Sequence, residues 1–227
     1  MGYALGIFPP GRADPAAARR VTEHLIEAHR RAVPAVRAAN PAVQVGLTLS
    51  MTDYQAADGG EERTREVRRV HEDVFLEAIE GDDFLGVQTY TRMLMGPDGW
   101  LGPQPGVPVL PMAHELWPAA LEACLRRAWE VTAGRVPLWV TENGIGTDDD
   151  AQRIEFVRAA LEGVLRAVAD GIDVRGYTYW SLLDNFEWAF GYTPRFGLVE
   201  VDRASFDRRP KPSARWLSDV ARNNGLP

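Results

Sequence analysis

Glu142 is the residue whose position in this sequence most strongly suggests chemistry. It ends an apolar run, residues 136–141, and is followed by Asn143 and a glycine. A carboxylate at the end of a buried strand is costly unless it is paired or used in a reaction. On position alone two explanations stand: a catalytic carboxylate, or a structural one paired with a cation such as Arg195.

A dense group of aromatic residues lies further along the chain, between residues 177 and 196. It consists of Tyr177, Tyr179, Trp180, Phe186, Trp188, Phe190, Tyr192 and Phe196. Polar residues, including Asn185 and Glu187, are interleaved with these rings. Sugars offer apolar C–H faces to aromatic rings, and their hydroxyls bind carboxylates and amides. An aromatic core patch would explain the rings alone, but the interleaved polar residues favour a carbohydrate site.

The elements that must position these residues alternate along the chain. A helix is predicted over residues 15–40, with an apolar stripe through Val21, Leu25, Ala28 and Ala32 and a kink or interruption at Pro34. Four strand–helix repeats follow, with strands over 43–50, 83–90, 136–143 and 174–183 and helices over 61–80, 118–131, 150–169 and 212–222. Such alternation predicts a parallel α/β sheet. Periodicity alone leaves open a small open sheet or half of an eight-stranded barrel.

In α/β barrels the active site lies at the carboxyl ends of the strands. The second predicted strand ends in Gln88, Thr89 and Tyr90, and the third ends in Glu142. A long loop over residues 95–111 follows the second strand, and long ordered loops are often functional.

Composition excludes several other classes of function. The net charge of −7, from 25 basic and 32 acidic residues, argues against nucleic acid as a partner. The sequence contains no stretch of about 20 apolar residues, so we expect no membrane span. The N-terminal residues do not resemble a signal peptide, so the expected location is the cytoplasm. The spacing of metal ligands is not found among His24, His29 and His71. No phosphate-binding glycine loop follows a predicted strand. Cys124 falls in an apolar helical pattern and fits an inert core thiol. We therefore expect no metal and no cofactor.

Several segments resemble glycoside hydrolase family 1, the β-glucosidases and their relatives. They are VTENGIG at 140–146, the stretch from GYTYWSLLDNFEW to FGLVEVD at 176–202, and DFLGVQTYTR at 83–92. The N-terminal residues are similar to the middle region of that family. The resemblance implies that residues 1–227 form one unit, the C-terminal half of a (β/α)8 TIM barrel with strands five to eight. It also implies retaining hydrolysis of β-glycosides by two glutamates.

The resemblance assigns roles to individual residues. Glu142 would be the nucleophile, and Tyr90 the tyrosine that donates a hydrogen bond to it. Gln88 stands where the family has an amide. The bound sugar would contact Trp180, Glu187, Trp188 and Phe196. An acid at position 187 implies an unphosphorylated sugar, because a carboxylate repels a phosphate group.

The sequence also departs from the family pattern. Gln88-Thr89-Tyr90 replaces Asn-Tyr-Tyr, His114 replaces an aglycone-side tryptophan, and Phe190 replaces a common acid. The acid/base segment Thr-Xaa-Asn-Glu-Pro is missing, as are the N-terminal sugar-binding glutamine and a His-Trp pair. We therefore expect that this chain alone is inactive.

Two explanations of a lone half-barrel are favoured over a third, in which two copies close a pseudo-barrel that would hold two copies of Glu142 and no acid. In the first, an N-terminal half-barrel chain or segment completes a hydrolase or a transglycosylase. It would cover two strand edges and an apolar interior that would otherwise be exposed. In the second, the chain is a degenerate, non-catalytic sugar-binding protein.

Overall fold

The computed structural model describes residues 2–227, which form six α-helices and seven strands together with short helical turns. In chain order these elements are α1 (Pro15–Ala39), β1 (Leu47–Ala56), α2 (Glu61–Arg68), a π-helical turn (Arg69–Asp73), α3 (Val74–Leu76), β2 (Leu85–Gly96), β3 (Gly99–Trp100), α4 (Ala120–Val131), β4 (Leu138–Glu142), α5 (Asp150–Ala169), β5 (Val174–Tyr177), a 3-10 turn (Trp188–Phe190), β6 (Val199–Val201), β7 (Arg208–Pro210) and α6 (Pro212–Asn223).

Four parallel strands form the main sheet, in the order β1, β2, β4, β5. Each is separated from the next by a helical segment, so the predicted alternation of strands and helices is confirmed. β3 pairs antiparallel with the end of β2, and β6 and β7 form a separate ribbon. Because the strands are parallel, Glu142 at the carboxyl end of β4 lies beside Gln88 of β2, which continues beyond this point to Gly96.

The core lies between one face of this sheet and the helices. Alternate strand residues such as Leu49, Val87 and Val140 pack against Leu121 and Leu125 of α4, and all five are buried. Period-two alternation places these side chains on one face of the sheet. Cys124 belongs to the same cluster, and its burial raises the pKa of the thiol, which fits the predicted inert core residue.

The opposite face of the sheet is less apolar than expected. Thr48 and Ser50 are exposed there, whereas Trp139 is the large apolar side chain of this face and is 37% exposed. The Trp139 ring lies on Gly176, where a Cβ atom would approach the ring to 2.3 Å. The prediction of an apolar interior therefore holds for Trp139 but is wrong for Thr48 and Ser50.

Several predicted boundaries differ from the structure. α1 runs through Pro34 without interruption, because the carbonyl of Arg30 that loses its donor lies on an exposed turn where water can replace it. The strand predicted over 174–183 ends at Tyr177, and the peptide bond between Trp180 and Ser181 is cis. The loop predicted over 95–111 contains β3, which forms a short hairpin with β2.

The first helix is attached mainly by polar contacts. His29 Nε2 lies 2.9 Å from both carboxylate oxygens of buried Asp82, and Arg37 donates to Asp83 at 2.7 Å. The apolar stripe identified along this helix is largely exposed: Leu25 is 56% exposed, and Val36, which continues the stripe, is 41% exposed. Within residues 2–227, no helix is long and apolar enough to cross a membrane.

Candidate active site

Both carboxylate oxygens of Glu142 accept hydrogen bonds from β2. Gln88 Nε2 donates to Oε1 at 2.9 Å, and the Tyr90 hydroxyl donates to Oε2. The register explains this contact, because an irregularity between β2 and β4 makes Gln88 the partner of Glu142 rather than of Thr141. By strict alternation Glu142 would share a face with buried Leu138 and Val140. The extra residue turns it to the face that carries Gln88.

The Tyr90 phenol is held in its protonated form. Burial raises its pKa well above the ordinary value, and the hydrogen bond to Glu142 raises it further. A protonated phenol is a donor, so Tyr90 orients the carboxylate without competing as a base.

Asn143, the residue after Glu142, fixes the end of β4. Its side chain is buried, and Nδ2 donates to the carbonyl of Thr89 at 2.7 Å while Oδ1 accepts from the Tyr177 hydroxyl at 2.9 Å. These two bonds join β4 to β2 and β5, its neighbours on either side. The backbone that carries Glu142 is therefore anchored on both flanks.

Phe196 and His114 line a small cavity of about 10 Å³ beside Tyr90. The Phe196 ring meets the Tyr90 ring edge to face, with the centroids 6.0 Å apart. His114 borders the same cavity together with Met112 and Gly146. Burial lowers the pKa of the His114 imidazole and favours its neutral form. The structure thus places both predicted residues around Tyr90.

Trp180 and Glu187 approach the site from the segment after β5. The Trp180 amide donates to the carbonyl of Asn143 at 3.0 Å. Glu187 accepts from Asn185 Nδ2 at 2.7 Å, and its negative charge contributes to the raised pKa of Tyr90. The Glu187 carboxylate therefore lies within electrostatic range of Tyr90.

The predictions for Trp188 and Arg195 differ from those above, since the first stays untested and the second is wrong. The Trp188 side chain is 62% exposed, and its ring lies 6.3 Å from that of Phe8 in the N-terminal loop. Its predicted contact with a sugar stays a prediction. Arg195 pairs with Asp148 and Glu200, so the alternative in which it neutralises Glu142 is wrong.

Sequence reasoning gave no role to several residues that hold the site. Asn143 and Asn185 stood out only as polar residues at strand ends. Arg153 was missed, although it lies in phase with buried Phe156, Val157 and Ala160 on α5. A charged residue inside an apolar stripe is the signal that could have identified it.

The geometry suits nucleophilic attack by a carboxylate. Glu142 is half-buried at the end of β4 and is held by two donors, one of which, Tyr90, packs against the Phe196 ring. Within residues 2–227, no group of three His, Cys, Asp or Glu side chains is placed to hold a metal ion. The arrangement gives an oriented carboxylate with an aromatic ring beside its hydrogen-bond donor.

Comparison with known proteins identifies the family. A profile described as Glycosyl hydrolase family 1 matches residues 103–226, more than half of the sequence. This chain belongs to glycosyl hydrolase family 1, and its four parallel strands are the C-terminal part of that family's TIM barrel.

Relatives in this family extend beyond the chain. Beta-glucosidase A of Thermotoga maritima is 30% identical over 273 residues, covering 100% of this chain and 61% of the relative. A structure of the beta-glucosidase from Thermotoga maritima with deoxynojirimycin has a TM-score of 0.90 at 28% identity, with the same coverage of 100% and 61%. The beta-glycosidase BGL167 is 50% identical with a TM-score of 0.84, covering 89% of this chain and 48% of that one. The chain thus spans about half to three fifths of these relatives.

The hydrogen bond from Tyr177 to Asn143 gives a testable prediction. Replacing Tyr177 by Phe removes the donor to Asn143 Oδ1 and leaves a buried acceptor unpaired. We expect the free energy of unfolding to fall by about 1–3 kcal/mol, measured by urea denaturation with circular dichroism. Tyr192→Phe is the matched control, because Tyr192 is 56% exposed. Equal stabilities for the two variants would contradict a stabilising role of the Tyr177–Asn143 hydrogen bond.

Proposed function

We propose that this chain is the nucleophile half of a retaining β-glycosidase that hydrolyses β-glycosides of unphosphorylated sugars. The observation that carries the proposal is the pair of donors, Gln88 and Tyr90, on the two oxygens of Glu142. An oriented carboxylate can attack the anomeric carbon and form a glycosyl ester, which water then hydrolyses. Transfer to another acceptor would use the same intermediate.

The sugar would lie between Glu142 and the segment after β5. Trp180 and Phe196 offer aromatic faces, and Glu187, fixed by Asn185, offers a carboxylate to sugar hydroxyls. A phosphate at this position would be repelled by the Glu187 charge. His114, in its neutral form, would border the leaving group, because it stands where relatives have an aglycone-side tryptophan.

The proposal requires a second carboxyl group that this sequence does not supply. Retaining glycosidases place an acid/base carboxyl about 5–5.5 Å from the nucleophile. The family segment Thr-Xaa-Asn-Glu-Pro that carries this acid is absent from the sequence. An N-terminal half of the barrel would provide it, as a separate chain or as a segment.

The sheet edges support an N-terminal half as the partner. Within residues 2–227, the parallel sheet ends at β1 on one side and at β5 on the other. Exposed apolar side chains occur in the segments next to these edge strands along the chain, with Leu25 and Val36 on α1 before β1 and Leu182, 65% exposed, after β5. Parallel strands are normally covered on both faces and paired at both edges in barrels. Four further βα units would pair both edges and cover these side chains.

A trapping experiment tests the nucleophile. The chain is incubated with 2,4-dinitrophenyl 2-deoxy-2-fluoro-β-glucoside, whose leaving group departs without protonation. We expect peptide mass mapping to find a fluoroglucosyl ester on Glu142, because Glu142 attacks the anomeric carbon as the dinitrophenolate leaves with the bonding electrons. Glu142→Gln should remain unlabelled. Absence of the ester, or labelling at another residue, would contradict the assignment of Glu142 as the nucleophile.

A complementation experiment tests the partner. A polypeptide with the first four βα units of a family relative is mixed with this chain, and hydrolysis of an aryl β-glucoside is followed. We expect turnover only when both polypeptides are present, and none when the chain carries Glu142→Gln. Turnover no greater than this control would rule out a catalytic half. Calorimetric binding of glucose without turnover would then favour the non-catalytic alternative.

A further inference from the structure

Arg153, in the first turn of α5, is the most extensively bonded buried cation near the site. Its side chain is 1% exposed, and its ion-pair partner is Asp150, with Nε 2.9 Å from Oδ1. A buried charge is costly unless it is paired and its hydrogen bonds are satisfied. The remaining N–H groups of Arg153 meet this requirement with acceptors that lie outside α5.

These acceptors come from two loops that flank the site. From the loop after Glu142, the carbonyl of Ile145 accepts from Nη1 at 2.8 Å and that of Thr147 from Nη2 at 2.7 Å. From the loop before β6, the carbonyl of Arg195 accepts from Nη2 at 3.0 Å and that of Phe196 from Nη1 at 3.2 Å. One planar guanidinium therefore holds two carbonyls of each loop, which fixes their separation.

Further contacts support this link between the loops. The Tyr179 hydroxyl accepts from Arg153 Nη1 at 2.9 Å and donates to the Phe196 carbonyl at 2.9 Å. The Thr147 amide donates to the Arg195 carbonyl at 3.1 Å. Removing the guanidinium would take a donor from all four carbonyls, although those of Arg195 and Phe196 would keep another, and would leave Asp150 without its charge partner.

The loops joined by Arg153 carry the groups around Glu142. Phe196 rests edge to face on Tyr90, and Tyr90 donates to Glu142. The loop after Glu142 begins at Asn143 and Gly144, so its path also sets the backbone position of the nucleophile. We propose that Arg153 is a positioning residue of the glycosidase reaction, which couples the Glu142 loop to the Phe196 loop without touching the substrate. This inference rests on the proposed function.

The test compares Arg153→Met with Arg166→Met. Both changes remove a guanidinium from α5, but the Arg166 side chain is 56% exposed and pairs with Glu122 at the far end of the helix. The rate constant for labelling of Glu142 by the dinitrophenyl fluoroglucoside is measured in folded protein, together with the final label per chain. Backbone hydrogen exchange of residues 143–149 and 192–198 is followed in parallel.

We expect Arg153→Met to lower the labelling rate constant about 10- to 100-fold, because small displacements of reacting groups have effects of this size. The final amount of label per folded chain should equal that of the unsubstituted protein. Backbone hydrogen exchange should become faster in both loops but not in β1 or β2. Arg153→Lys should recover part of the rate, since an ammonium group can satisfy some of the carbonyls. Arg166→Met should leave rate and exchange unchanged.

Other results would overturn the inference. A labelling rate within about twofold of the unsubstituted protein, or a loss that simply follows the folded fraction, would leave Arg153 a structural residue. Should Arg153→Met fail to fold, Tyr179→Phe removes only the hydroxyl between Arg153 and Phe196. It should slow labelling and loosen residues 192–198, and no change in either would contradict the coupling. If the unsubstituted chain is not labelled, the proposed function fails, while exchange in the two loops still decides whether Arg153 couples them.

Discussion

The contact on which the rest of the site depends is the pair of hydrogen bonds from β2 to the Glu142 carboxylate. Each donor comes from a residue on the neighbouring parallel strand, so the contact exists only if β2 and β4 keep their register. The irregularity after Val87 is what brings Gln88 opposite Glu142. A shift by one residue would return the carboxylate to the face of Leu138 and Val140, where its charge would have no donors.

Buried polar bonds outside this contact keep the register and the loops in place. Asn143 links β4 to the strands on both sides, and Arg153 gathers carbonyls from the loops that follow β4 and precede β6. Buried polar groups destabilise a fold when some of their hydrogen bonds are missing, and they make the structure rigid when all of those bonds are formed. The surroundings of Glu142 are therefore assembled by residues 2–227 themselves, with Tyr90 held as a protonated donor.

Sequence patterns predicted the fold better than the details of the site. Apolar periodicity was enough to place the four strands and most helices. The TENG, DNFEW and DFLGVQTYTR segments pointed to Glu142, Glu187 and Tyr90 respectively. The bulge beside Glu142 was not predictable, because period-two alternation assigns that residue to the core face. Arg153 was missed because its acceptors are carbonyls of loops distant in sequence. The apolar stripe of α1, around Leu25 and Val36, is exposed, because an apolar pattern marks a helix face without saying what covers it.

The central claim is that this half holds an oriented nucleophile and needs its proton donor from another half. The dependence of rate on the leaving group tests this claim most directly. Release of the phenol is measured for aryl β-glucosides from dinitrophenyl to unsubstituted phenyl, with and without an N-terminal half of a family relative. A proton donor makes poor leaving groups react almost as well as good ones. We therefore predict a steep dependence for the chain alone and a shallow one for the mixture. Equal slopes in the two conditions would contradict the claim.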